Sequence, residues 1–364
     1  MRTSWRQGAG IATQIRATKF HLALVLLISA ASVAHSDEAR IAELSESIGA
    51  NVASKNWDAA DADYEQLYSV YLEDFGAASR QAIAMSKVLG DWKIQAHRSG
   101  LLSESATSVI AGTSSFFTQL IEEIENQHGQ LAEDLIDPLY GQAMVEYHLF
   151  QIATKKPVSS YRGVGLEFIQ EERCVASEDG GAVVFCDYEE APNRDYIVSQ
   201  AQAKSNEVEA HWSAIAASLE RIIEICELNQ YLLDQAEAMI HLGDHFLYGG
   251  EGELAIEIYA NAYQMLVRNT DGAEWVQRLF NTPTVVPSLT TSFPGANPAP
   301  ILTHGMKIGF SIDENGKAQN VEIVGGADAS TRAVRQNTTQ IISGAIFRPG
   351  FDFDGVMESK YVEI

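Results

Sequence analysis

Basic residues are scarce in this chain of 364 residues: 25 Lys and Arg stand against 49 Asp and Glu, a formal net charge of −24. A field of that sign repels phosphate backbones and anionic lipid headgroups, which excludes non-specific nucleic-acid binding and docking on acidic membranes. Cysteine is rarer still, with three in the chain, too few for a disulfide-dense scaffold. Long apolar runs are missing too. The stretch Phe20–Ala34 is 15 residues with His21 inside it, short of the ~20 that span a bilayer comfortably. Signatures of catalysis are absent as well. Gly163-Val164-Gly165 is not followed by the rest of a phosphate loop, and there is no G-x-S-x-G elbow and no Cys-x-x-Cys pair. His241 and His245 share one helix face at a spacing a metal can use, but the glutamate of the zinc-protease motif is not there. No catalytic residue, cofactor or metal ligand is therefore assigned, and the chain does not read as an enzyme. Its 46% hydrophobic and 20% charged residues fit a packed globular protein.

Charge divides the chain into segments. The first 36 residues hold Arg2, Arg6, Arg16 and Lys19 and no acidic group. Residues 37–282 carry a net −26, and residues 283–364 a net −2. The basic stretch, the apolar run and Ala34-His35-Ser36 form a secretory signal with cleavage expected before Asp37, which places the mature protein in the periplasm. Were the segment kept, it would anchor the protein at the inner membrane. Oxidising surroundings suit the cysteines: Cys174 and Cys186 flank a turn signal at Asp179-Gly180-Gly181, so a hairpin there sets them opposite each other for a disulfide. Cys226, in the apolar helical stretch Ile222–Cys226, reads as a buried free thiol.

Residues 37–282 are mostly helical in pattern, with apolar residues three and four apart and the cysteine hairpin as the main interruption. Within them, Met239-x2-Leu242-Gly243-x2-Phe246, Gly250 and Ala255-x3-Tyr259-x2-Ala262 form a helix–turn–helix signature. Gly243, Ala255 and Ala262 are small where two helices cross; Leu242, Phe246 and Tyr259 fill the space beside them. This segment resembles the tetratricopeptide repeat, with Val267 standing where the family has a proline. Asn56–Ala60 with Tyr64 and Leu67, and Asp137–Tyr140 with Met144, Tyr147 and Leu149, resemble weaker units of it. A single repeat cannot bury its own face, so a stack of helices is expected.

Five of the nine prolines fall between Pro283 and Pro300, so residues 283–305 read as a linker. The period then changes to two: Met306, Ile308, Phe310 and Ile312 alternate with Lys307, Gly309, Ser311 and Asp313. Asp313-Glu314-Asn315-Gly316 is a turn, and a second strand follows over about Ala318–Val324. A helix from Asp328 to Gly344 is expected to turn Val334, Thr338, Ile341, Ile342 and Ala345 inward. Phe347-Arg348-Pro349 stops it, and Val356–Ile364 forms the last strand. The expected fold is multidomain: an all-α repeat domain followed by a small α+β module in β-β-α-β order, residues 306–364.

That module resembles the C-terminal domain of the TonB family on Met306–Lys317, Val321–Val324 and Phe347-Arg348-Pro349. The resemblance implies a periplasmic protein–protein interaction module that binds an extended peptide of a partner, such as an outer-membrane transporter, by strand addition. By position the terminal strand would be the docking border, with Met357, Ser359 and Tyr361 on one face. The same resemblance admits a membrane-anchored energy transducer for transport across the outer membrane, and the helical region admits a purely structural scaffold. The family's long proline- and charge-rich spacer does not precede the helical region here.

Overall fold

The computed structural model describes residues 38–98, 106–163, 165–176, 184–270, 272–281, 283–286, 306–326, 332–352, 355–356 and 360–363. The signal-like segment and the Asp179-Gly180-Gly181 turn lie outside them. The chain is mostly helical with a small α+β part. It divides into two compact units, residues 1–145 with 215–364, and residues 146–214. No helix of the described residues is long and apolar enough to cross a membrane.

The first unit begins with α1 (Glu38–Ser54), α2 (Trp57–Phe75) and α3 (Arg80–Arg98). Helix α2 presents Tyr64, Leu67, Tyr68 and Tyr71 on one stripe, the spacing of one helix face. All four are buried, together with Ile41, Leu44 and Ile48 of α1 and Met85, Leu89 and Trp92 of α3. Removing Ile48 or Leu67 wholly from water stabilises the fold by about 1.5–3 kcal/mol each. The Trp92 ring stacks on Tyr64 at 4.9 Å and its indole N–H donates to Asp61 Oδ1 at 2.9 Å, so the buried polar end is satisfied. Helices α4 (Ala106–His128) and α5 (Ile136–Lys155) follow. Phe117 of α4 lodges against two glycines, Gly90 of α3 and Gly141 of α5, where an added Cβ would stand 2.6 and 2.3 Å from its ring.

Helix α6 (Arg194–Asn229) returns to this unit at Ile215 and buries Ile215, Leu219, Ile222 and Cys226. It leads into the predicted repeat, α7 (Leu232–Gly249) and α8 (Gly252–Val267). Gly250, at φ +87°, closes α7 in the left-handed region. A short helix α9 (Gly272–Val276) and one π turn, Gln277–Asn281, end the helical region.

The C-terminal part consists of β3 (Lys307–Ile312), β4 (Ala318–Gly325), α10 (Arg332–Gly344), β5 (Phe351–Asp352), β6 (Gly355–Val356) and β7 (Lys360–Glu363). Strands β4, β3 and β7 form one antiparallel sheet with β3 in the middle, and β5 and β6 form a separate small hairpin. The last strand is thus shorter than expected, since Val356 belongs to β6. Gly316 makes the β3–β4 turn at φ +74°; any Cβ there would meet the Phe347 carbonyl at 2.2 Å, so the glycine is dictated twice over. Asp313 Oδ1 accepts the Asn315 and Lys317 N–H groups at 3.0 and 2.9 Å. Met306, Ile308, Phe310 and Ile312 are buried with Ile342 and Phe347. Ile341 departs from expectation: it is 54% exposed, because the buried stripe of α10 is narrow and runs through Thr338 and Ile342.

The second unit holds the end of α5, the antiparallel pair β1 (Phe168–Ala176) and β2 (Val184–Pro192), and the start of α6. Asn193 caps α6, its Oδ1 accepting from the Asp195 and Tyr196 N–H groups at 3.0 and 3.3 Å. The Lys204 ammonium donates to the Thr154 and Lys156 carbonyls at 2.9 and 2.7 Å, where the dipole at the end of α5 favours a cation.

Candidate functional site

Strand β7 pairs with β3 through Gly309↔Glu363, Phe310↔Val362, Ser311↔Tyr361 and Ile312↔Lys360, and among the described residues with no other strand. Among the described residues its other border therefore carries the alternate N–H and C=O groups of an unextended ladder. Of the three residues singled out for this border, Tyr361 is placed opposite Ser311; Met357 and Ser359 lie outside the described residues. At the other border, β4 exposes Gln319, Asn320, Glu322 and Val324. It also carries an irregularity: the register shifts between Gly309 and Ser311, with Asn320 at φ +54°. Such a bulge twists a strand and spoils it as a template. Helix α10 packs along β4. The two borders are thus unlike, and β7 is the regular one.

The residues behind this sheet are held by a buried ionic contact. Arg348, in the Phe-Arg-Pro stretch, is 4% exposed and Asp244 of α7 is 0% exposed. Arg348 Nε and Nη2 donate to Asp244 Oδ1 and Oδ2 at 2.8 and 2.6 Å, the planar two-point pairing that guanidinium geometry favours. Nη1 donates to the Leu279 carbonyl at 2.6 Å, and the Tyr259 hydroxyl donates to Asp244 Oδ1 at 2.7 Å. Burial opposes the charge on Arg348, but Asp244 outweighs it and raises the guanidinium pKa further. Burial, reinforced by Asp244, pushes the Tyr259 phenol well up, so it stays a donor.

Around this contact lie the predicted repeat residues. Leu242, Ala255, Tyr259 and Ala262 are buried, Gly243 is buried, and Phe246 is half-buried. Gly243 sits where a Cβ would stand 2.6 Å from the Tyr259 ring, so the small residue is required by the helix crossing. Phe351 of β5 joins the same core, with its ring 5.8 Å from Tyr259 and 5.3 Å from Phe280. Part of the proline stretch is folded as well. Thr284 and Val286 are buried; the Val286 N–H donates to the Ile346 carbonyl and the Arg348 N–H to the Thr284 carbonyl, both at 2.9 Å. Residues 283–286 are thus a strap on the C-terminal part, and the rest of the stretch lies outside the described residues.

His241 and His245 are both buried, with His241 edge-on to Tyr140 at 5.9 Å. Burial pushes both imidazoles down to about 4; for His241 Asp244 opposes the shift, and Arg348 and Arg278 add to it. They are neutral at pH 7. No group of three or more metal-ligating side chains occurs among the described residues. Cys174 and Cys186 are Cα partners in the β1–β2 register.

Sequence reasoning missed Asp244. Its signal was there: a carboxylate directly after the crossing glycine, one of several polar residues, with Gln235, Glu237, His241 and His245, that this helix buries. Comparison with protein-family models, curated proteins and solved structures returns no match. What the geometry offers is backbone pairing at a sheet border fixed to a helical hairpin.

Proposed function

We propose that the protein is an exported, periplasmic binding protein of TonB-like type. It takes up an extended peptide of a partner, such as an outer-membrane transporter, as an added strand on β7. The observation that carries this reading is the sheet order β4-β3-β7, which gives the regular border to the strand that the sequence resemblance nominates. Backbone pairing supplies the affinity in this mode, and side-chain pockets the selectivity. Support for export comes from the basic stretch, the apolar run and the Ala-His-Ser site before Asp37.

The test uses the full-length protein and a synthetic peptide copied from the N-terminal segment of an outer-membrane transporter. Amides of Lys360–Glu363 are expected to gain protection from exchange on binding. Proline at 361 and at 362, made one at a time, separates the two directions of the strand, since neighbouring N–H groups point to opposite borders. One variant loses peptide with the fold intact, and the other disturbs the β3–β7 ladder. Unchanged exchange at β7 with saturating peptide overturns the reading.

A second reading is favoured by the Arg348–Asp244 contact: the C-terminal part serves as a structural cap on the helices. In that case no peptide binds, and removing residues 306–364 unfolds α7 and α8.

A further inference from the structure

The β1–β2 ribbon pairs nine residues of each strand. The Cα pairs run from Phe168↔Pro192 to Ala176↔Val184 without a register shift. The sheet has two strands, and no third joins it among the described residues. Phe168 and Ile169 point to opposite faces and are 51% and 37% exposed, so neither face is covered at the base of the ribbon. A two-stranded hairpin of this kind is marginal in water. Yet the register sets Cys174 directly opposite Cys186. An error of one residue in either strand would have put the two cysteines on opposite faces.

We propose that Cys174 and Cys186 are joined by a cross-strand disulfide and that this bond holds the ribbon in register, making its order conditional on the redox state of the surroundings. The electrons go to a disulfide-bearing oxidant of the thiol–disulfide exchange class. The thiolate of one cysteine attacks the oxidant's disulfide and expels one thiolate. The second cysteine, deprotonated, attacks the mixed disulfide, forms the Sγ–Sγ bond and expels the other. The oxidant's two sulfurs leave as thiols, two molecules of glutathione where oxidised glutathione is used, carrying the two protons the cysteines gave up. Cys226 is no competitor: it is fully buried, and burial, aided by Asp234, pushes its thiol up to about 12.

The test needs no assumption about export, because it uses purified full-length protein with oxidised glutathione as the oxidant. After oxidation, alkylation under denaturing conditions is expected to label one thiol, Cys226, and peptide mapping to find the Cys174 peptide joined to the Cys186 peptide. Three labelled thiols, or a bridge involving Cys226, overturn the pairing. Exchange of the β1 and β2 amides then tests the role. Reduction is expected to speed it about a hundredfold while α7 and α8 keep their protection. Equal protection in the oxidised and reduced forms overturns the claim that the bond holds the ribbon. A Cys226→Ser variant is expected to behave as the parent in both measurements, and loss of the bridge in it also counts against the proposal.

Discussion

Replacing Arg348 by methionine tests how firmly the C-terminal part belongs to the helical hairpin. The substitution keeps the side-chain bulk and removes the cation. It takes the guanidinium from the Asp244 carboxylate, 0% exposed, to which the Tyr259 hydroxyl still donates. Stranding one charge of a buried pair costs about 3–5 kcal/mol. The Leu279 carbonyl also loses its donor, which adds roughly 1 kcal/mol. A total near 4–6 kcal/mol is a large share of the 5–15 kcal/mol typical of a folded domain. Converting Asp244 to leucine in the same chain removes the stranded charge, so the double variant is expected to recover at least about 2 kcal/mol of the loss. The assay is urea unfolding followed by far-UV circular dichroism, with hydrogen exchange of α7 and α8 as the local readout. If Arg348→Met unfolds within about 1 kcal/mol of the parent, the contact is solvated and the reasoning fails.

Other outcomes follow from the same packing. His241 and His245 titrate near 4 in the fold and near 6.5 when unfolded, so the unfolded chain binds more protons between those values and stability falls as pH drops through that window. The slope is about 1.4 kcal/mol per pH unit for each histidine; urea midpoints of the His245→Gln variant should flatten it, and an unchanged slope refutes the burial. Gly243→Ala is expected to destabilise by about 1–3 kcal/mol, since the new Cβ meets Tyr259. Gly112→Ala, in α4 with nothing within 4 Å, is expected to stabilise by about 0.5–1 kcal/mol; thermal melts showing the same sign for both would refute the contrast. Phe351→Ala should cost about 3–5 kcal/mol and loosen α8, because it empties the space against Tyr259, Tyr263 and Phe280; proteolysis of α8 at the parent's rate would count against it.

Local pattern told much of this in advance. The stripe Tyr64, Leu67, Tyr68, Tyr71 and the small residues Gly243, Ala255 and Ala262 are short-range signals, and they mark helices and a helix crossing whatever surrounds them. The alternation from Met306 to Ile312 and the Asn315-Gly316 turn are equally local. Where several residues decide together, the pattern ran out. Ile341 fits the apolar spacing of α10, but the buried stripe is too narrow to reach it. Asp244 and Arg348 are 104 positions apart, and neither reveals a partner until the chain has folded. The prolines after Pro283 hid the short strap at Thr284–Val286, because its pairing partners, Ile346 and Arg348, come some sixty residues later. The site border was legible as a strand at the end of the chain. Its true extent was not, since β6 and β7 divide a stretch whose residues read as one.

The anchoring of Arg348 bears on how mechanical load would travel. A guest strand tugged away from β7 strains the β3–β7 ladder first. From β3 the tension passes around the Gly316 corner, whose carbonyl accepts the Phe347 N–H at 2.6 Å, and so reaches the neighbouring guanidinium. There it meets Asp244 and enters the body of α7. The force thus arrives in the helices at this ionic rivet, beside the Phe351 ring wedged against Tyr259 and Phe280.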